Sequence, residues 1–274
     1  MKLSKQWNTF FFLLLAVFGL VFMLPLAWMF FSSIKPESLI FGHPELFFPR
    51  AVTLENYKIL LTQIPFFRFL FNSIVFSCGI TLSSLILDSL AGYALAKLPY
   101  KGASVFFIIV LISMMIPFQI TMIPLYLFMN KLHMLNTYLG LMLPRLANAF
   151  GIYFMRQSFL SVPNDLLDAG RIDGLGELNI LVRIVMPVEL SSLSTLGVFH
   201  FMFNWNDFLW PMLMTNSQDM QTLPVGLALF QGEHVFQHGP MFAGATLSIL
   251  PILVVFLFAQ RTFIKGIALS GIKG

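Results

Sequence analysis

Between two long apolar stretches runs Val162-Pro-Asn-Asp-Leu-Leu-Asp-Ala-Gly-Arg-Ile-Asp-Gly-Leu-Gly-Glu177. It gathers the carboxylates of Asp165, Asp168, Asp173 and Glu177 around Arg171, in a chain of which only 10% is charged. No hydroxyl or thiol nucleophile with a neighbouring base accompanies them, so their chemistry is recognition by charge. A compact, charged segment between apolar runs reads as a docking point for a soluble partner.

The segment predicts a short helix. Ser161 is suited to cap its start, and Pro163 fits the first turn, where a missing N–H costs little. Asp165 and Asp168 then fall near the positive end of the helix dipole. Gly174 takes a positive φ easily and stops the helix. Leu166, Leu167, Gly170 and Ile172 form an apolar side, and Ala169 and Gly170 keep part of the helix narrow. Such a helix fits a partner's groove, with its carboxylates meeting basic groups there. A plain surface helix on the membrane is the competing reading and stays open here.

A second set of ionisable residues lies within apolar runs: Asp88, Arg145, Asp207 and, at an edge, Glu189. At mid-membrane each costs at least about 2.5–3.5 kcal/mol on insertion scales, which makes such residues functional candidates. Arg145 and Asp207 each fall about 10–12 Å from the outer boundary at a rise of about 1.5 Å per residue, so they are expected at one depth, paired or facing an aqueous path. Asn204, Trp205 and Asn206 make a polar-aromatic step suited to sugar hydroxyls and ring faces, or equally to a helix–helix contact. His200 reads as a packed, hydrogen-bonded residue.

Other chemistry is absent. No Gly is followed by Lys anywhere, which excludes a Walker-type phosphate loop. There is no His-Glu-x-x-His, Cys-x-x-Cys or Gly-x-Ser-x-Gly, and His43, His133, His200, His234 and His238 lack metal-ligand spacing. No metal, cofactor or catalytic site is expected. The single cysteine, Cys78, lies in an apolar run and reads as packing.

The elements that position these residues are membrane helices. The chain is 58% hydrophobic with 32 Phe, and its mean hydropathy is +0.84; soluble domains are about 45–50% apolar and about 25% charged. Spans need about 20 apolar residues. The candidates are Phe10–Phe31, Phe67–Ala96, Val105–Met129, Thr137–Met155, Leu181–Met214 and Met241–Ala259. The first is too long for a signal-peptide core and no small-residue cleavage site follows, so it reads as a retained span. An N-terminus inside puts Lys2, Lys5, Lys97, Lys101, Arg156, Arg171, Arg183, Arg261, Lys265 and Lys273 on the cytoplasmic side. Lys35, Arg50, Lys58, Arg68 and Lys131 then lie outside, a bias that supports both termini inside. The net charge of +4 follows from that bias rather than from nucleic acid, since no basic cluster with aromatics occurs. Residues 1–274 read as one transmembrane domain, with a first span near 10–31, a core near 67–262 and the polar loop at 162–177. Segments 32–66 and 215–240 are external and structurally undefined.

The polar loop also carries a resemblance. Asp168-Ala-Gly-Arg-Ile-Asp-Gly174, with Arg183-Ile-Val-Met-Pro187, resembles the Glu-Ala-Ala-x-x-x-Gly … Ile-x-Leu-Pro loop of ABC importer permeases. Ala91-Gly-Tyr-Ala-Leu-Ala-Lys97, Met115–Leu125, Leu135–Gly140, Trp205-Asn-Asp-Phe-Leu-Trp-Pro211, Gln260–Gly266 and Gly271–Gly274 are similar to its maltose-type, carbohydrate-uptake branch. The resemblance runs from about Phe67 onward. It implies an all-α membrane protein with six transmembrane helices, the type I ABC importer permease fold. It further implies a bacterial or archaeal plasma (inner) membrane location and no ATP site in this chain. The implied partners are two cytoplasmic ATPase subunits, which hold ATP and Mg, a second permease and an extracytoplasmic solute-binding protein. Residue by residue, Asp168 stands for the family Glu, Ala169 for its first Ala and Gly174 for its Gly. Asp168, Ala169, Gly170, Arg171, Asp173 and Gly174 become the ATPase-docking set, and Asp168 faces a basic group of the ATPase. Asp for Glu shortens the reach by one methylene, and Gly170 replaces the second Ala. The tail Ser270–Gly274 is placed near the ATPases and 215–240 near the binding protein. Arg145, Asn204, Trp205, Asn206 and Asp207 are the substrate-path candidates, for a sugar or related polyol. A transporter driven by an ion gradient through Asp88, Arg145 and Asp207 is the alternative class; a non-transporting scaffold fits the charged spans poorly.

Overall fold

The computed structural model describes residues 5–42, 47–233 and 237–270, and every regular element among them is helical. Two compact units form, one from 1–66 with 226–250 and the other from 67–225 with 251–274.

In the first unit, α1 (Lys5–Ser33) supplies an 18-residue apolar window none of which is buried. That is the composition of a helix whose solvent is lipid. The following segment is tied down by one amide. Asn56, on α2 (Glu55–Gln63), donates from Nδ2 to the carbonyls of Ser33 and Lys35 at 2.8 Å each. Glu37 accepts the backbone N–H groups of His238 and Gly239, at 2.8 and 2.7 Å. A carboxylate thereby satisfies donors at the start of the helix His238–Ser270, where the dipole favours it. The part of the 32–66 segment described here is thus a small hydrogen-bonded element. Lys2, His43 and His234 of the sequence reading, and the tail motif Gly271–Gly274, lie outside the described residues.

The second unit carries the candidate site. Its long helix α3 (Phe66–Lys97) is long and apolar enough to cross a membrane by itself. The next expected span, Val105–Met129, is a bent pair: α4 (Ala103–Met114) and α5 (Phe118–Lys131) meet at 97°. Pro117 stands at the break and leads α5 with an extended backbone.

The expected fourth span, Thr137–Met155, is not one helix. Thr137 caps α6 (Tyr138–Met142), a 3-10 turn covers Leu143–Arg145, and Asn148 starts α7 (Ala149–Leu160) by accepting the Phe150 N–H. Pro144 and the Asn148 cap outweigh the apolar composition that suggested continuity.

The expected fifth span also breaks. A bent segment, Glu177–Val188, meets the helix Leu190–Trp205 at 86°, and the short helix Leu209–Met214 follows separately. Ahead of Pro187 the backbone widens into a π turn over Leu181–Val185. Among the described residues, three helices are thus long and apolar enough to span a membrane alone, and up to five spans form if each bent pair is one.

Among the described residues, two apolar clusters hold this unit. One collects Tyr93, Met155, Phe159, Leu167, Ile180 and Val185 under the polar loop. The other collects Phe76, Ile80, Met122, Leu141, Trp210 and Met214, with the Trp210 indole N–H donated to the Leu141 carbonyl at 2.9 Å.

Candidate functional sites: an exposed loop helix and an intramembrane cavity

The polar loop folds as α8 (Asn164–Ile172). Its end is a Schellman motif: Gly174 N–H reaches the Arg171 carbonyl and Leu175 N–H the Gly170 carbonyl, both at 3.0 Å, with Gly174 at φ +81°. Its start differs from expectation. Ser161 ends α7 instead of capping α8, and its single O–H is shared between the Ser158 carbonyl and Glu189 Oε1, at 2.7 and 2.9 Å. Pro163 stands at the N-cap without a side-chain bond.

The apolar side of α8 is narrower than the sequence suggests. Leu167 and Gly170 are buried, whereas Ile172 is 86% exposed and Leu166 is exposed too. Gly170 points into its own chain, where a Cβ would come within 2.7 Å of Ile184 Cδ1. It seats α8 on the bent segment and is not part of the outward face. Asp165, Asp168, Ala169, Ile172 and Asp173 make that face.

The charges of the loop are wired together. Arg171 donates from Nη1 to Asp168 Oδ1 at 2.7 Å and from Nε to Glu177 Oε1 at 2.8 Å. Tyr93 of α3 donates its hydroxyl to Glu177 Oε2 at 2.5 Å. The Arg171 guanidinium, then the Tyr93 hydroxyl, hold the Glu177 carboxyl below the usual carboxylate range. Hydrogen bonds from Arg171 to Glu177 and Asp168 raise the arginine further. Lys97, at the end of α3, donates to the Val162 carbonyl at 2.6 Å and to Asn164 Oδ1 at 2.9 Å. Glu189 braces the far side, accepting from the hydroxyls of Ser158, Ser161 and Ser192. Sequence reasoning missed Tyr93, Lys97 and Glu189 as parts of this assembly. Only Glu189 with Ser192, three residues apart at a helix start, left a local signal.

The second region surrounds a cavity of about 680 Å³. Arg145 and Asn204 line it, with Asn148, His200, Phe118 and Phe203. Arg145 Nη1 meets Asp207 Oδ2 at 2.6 Å and donates to Asn204 Oδ1 at 3.2 Å, and its guanidinium lies 4.4 Å from the Phe118 ring centroid. The pairing expected from equal depth is present. Asn204 Nδ2 is committed to the His200 carbonyl at 2.8 Å. Trp205 does not reach the cavity: it is buried, its ring stacked on Phe201 with centroids 5.5 Å apart. Asn206 is exposed and bonds back to the Met202 carbonyl at 2.8 Å.

Asp88 pairs with His200, Oδ2 to Nε2 at 3.1 Å, and accepts the Asn148 N–H at 2.8 Å. A Cβ on Gly151 would strike that carboxylate, so glycine is required for α7 to approach. Among the described residues no group of His, Cys, Asp and Glu side chains has a metal-binding arrangement.

Comparisons with known proteins agree with the fold. Residues 88–268 match the family described as binding-protein-dependent transport system inner membrane component. The arabinooligosaccharides transport system permease protein AraQ of Halalkalibacterium halodurans is 37% identical over 262 residues, 94% of each chain. The lactose transport system permease protein LacG of Rhizobium radiobacter is 32% identical, covering 92% of this chain and 91% of its own. A crystal structure of a bacterial ABC transporter that imports the acidic polysaccharide alginate contains a chain with a TM-score of 0.82 at 25% identity, covering 96% of this chain and 99% of that one. None of these relatives supports the ion-gradient reading, and Asp88 sits with His200 rather than with Arg145 and Asp207. The chain belongs to the binding-protein-dependent inner membrane components, the multi-pass permease subunits of ABC importers.

Proposed function

We propose that this chain is one of two membrane halves of an ATP-driven importer for a sugar or related polyol. Two cytoplasmic ATPase subunits hold ATP and Mg, and a solute-binding protein delivers the substrate outside. The chain itself carries no cofactor and no catalytic site. Both termini and α8 face the cytoplasm. The outward face of α8, with Asp168, Ala169, Arg171, Asp173 and the Gly174 stop, seats in a groove of one ATPase. Gly170 works from beneath by seating the helix.

The observation that carries this reading is an exposed two-turn helix wired to its own membrane helices. Arg171, Glu177 and Tyr93 link it to α3, and Lys97 links its start to the same helix. A push on α8 therefore reaches α3 through side chains as well as through the backbone. The names of the relatives, carrying arabinooligosaccharides and lactose, favour a carbohydrate cargo.

The test is purification of the tagged chain from its native membrane. ATPase subunits and a second permease are expected to co-purify. Asp168→Lys and Gly174→Pro are expected to lose most of the ATPase or to hydrolyse ATP without uptake. Full uptake in both variants overturns the docking role, and a working assembly without any ATPase overturns the whole reading.

A further inference from the structure

The 680 Å³ cavity in the second unit has a chemistry that selects among sugars. Its one lining guanidinium is already neutralised, since Arg145 Nη1 lies 2.6 Å from Asp207 Oδ2. The carboxylate of Asp88, partner of the lining His200, is fully buried and engaged by His200 and the Asn148 N–H. No uncompensated positive charge faces the cavity to hold a carboxylate or phosphate.

Hydrogen-bond donors and acceptors do face it. The contacts of Arg145 with Asn204 and Asp207 engage Nη1, so the Nη2 and Nε donors remain. Asn148 uses its carbonyl oxygen to cap α7, which leaves its NH2 group. The hydroxyl of Thr121 donates to the Phe118 carbonyl, so its oxygen remains an acceptor. The Phe118 and Phe203 rings supply apolar faces of the kind on which sugar C–H groups pack.

We infer that this cavity is a transit site for a neutral sugar, which Arg145 and Asn148 hold by hydroxyl hydrogen bonds, and that Asp207 sets the selectivity by cancelling the charge of Arg145. The inference rests on the reading of the chain as half of a sugar pore and narrows its substrate class. It separates this chain from a pore for acidic saccharides, the cargo of the alginate transporter that shares its fold.

The test uses the purified, assembled transporter in lipid nanodiscs without its binding protein. Saturation-transfer NMR measures contact with arabinobiose and with digalacturonic acid. Arabinobiose is expected to give the stronger signal, and both Arg145→Gln and Asn148→Asp, which keeps the helix cap, to weaken it about tenfold. Asp207→Asn uncovers the guanidinium and is expected to shift the uronate-to-neutral ratio about tenfold toward the uronate. A merely structural Asp207 would weaken both ligands and leave the ratio unchanged. Preference of the wild type for the uronate overturns the proposal, as does an unchanged ratio in Asp207→Asn. Binding that Arg145→Gln and Asn148→Asp both leave intact, or no contact with arabinobiose at all, overturns it too. Failure here with ATPase still co-purifying leaves the importer reading standing; loss of the ATPase from the wild-type assembly removes both.

Discussion

Two arginines in one unit make the same kind of contact in opposite surroundings. Arg171 reaches Asp168 and Glu177 with side chains 38%, 61% and 41% exposed, while Arg145 reaches Asp207 with 10% and 14% exposed. Water screens the first group, so its pairs orient the loop and add little stability. The second pair is largely withdrawn from water, so losing one partner strands a charge. The loop pairs are exchangeable, which suits the docking role proposed for α8. The pair withdrawn from water is fixed.

The contrast is sharpest if Arg145→Ala is made. It leaves Asp207 unpaired and is expected to destabilise by about 3–5 kcal/mol, measured as loss of folded protein on heating in detergent. With Asp207→Ala it forms a cycle whose coupling is expected at about 1–3 kcal/mol; additivity would break the comparison. Next comes Gly170→Leu, which drives a side chain into Ile184 and is expected to cost about 1–3 kcal/mol while unseating α8. Gly174→Ala keeps the residue at φ +81° against its preference, at about 1–2 kcal/mol, read as faster hydrogen exchange confined to residues 164–175.

A titration separates the two regions further. Glu177 has a depressed carboxyl, so the order it contributes is present above its ordinary value of 4.5 and is lost as pH falls through the lower folded value. Hydrogen exchange of α8 is expected to quicken in that window, and less so in Glu177→Gln. The smallest effect is that of salt. At about 1 M the screening length falls to about 3 Å, so the loop pairs loosen while Arg145 and Asp207 stay together.

How much of this was legible depended on whether the signal was local. Gly174 declared itself, because a helix ending in Asp-Gly requires a residue that tolerates the left-handed region. Arg145 and Asp207, sixty-two residues apart in number, were matched through the membrane, whose thickness turns sequence position into depth. Tyr93 and Glu177 offered no such ruler; they are 84 residues apart and nothing near either names the other. Ser161 was misread because it stands between two helices, and the one it ends claims it. The spans at 105–129, 137–155 and 181–214 looked continuous because apolar composition counts residues, whereas Pro117, Pro144, Asn148 and Glu189 decide where the backbone turns. Trp205 matched a sugar platform by type, yet a helix face chosen by packing turned it onto Phe201.

Gly170 has one further consequence. With no side chain between them, α8 lies directly on Ile184, so nothing compressible separates the exposed helix from the bent segment beneath it. Two bodies in such direct contact move with almost no backlash. For the docking role proposed for α8, the absence of one methyl group would set how small a displacement at the surface is passed to that segment.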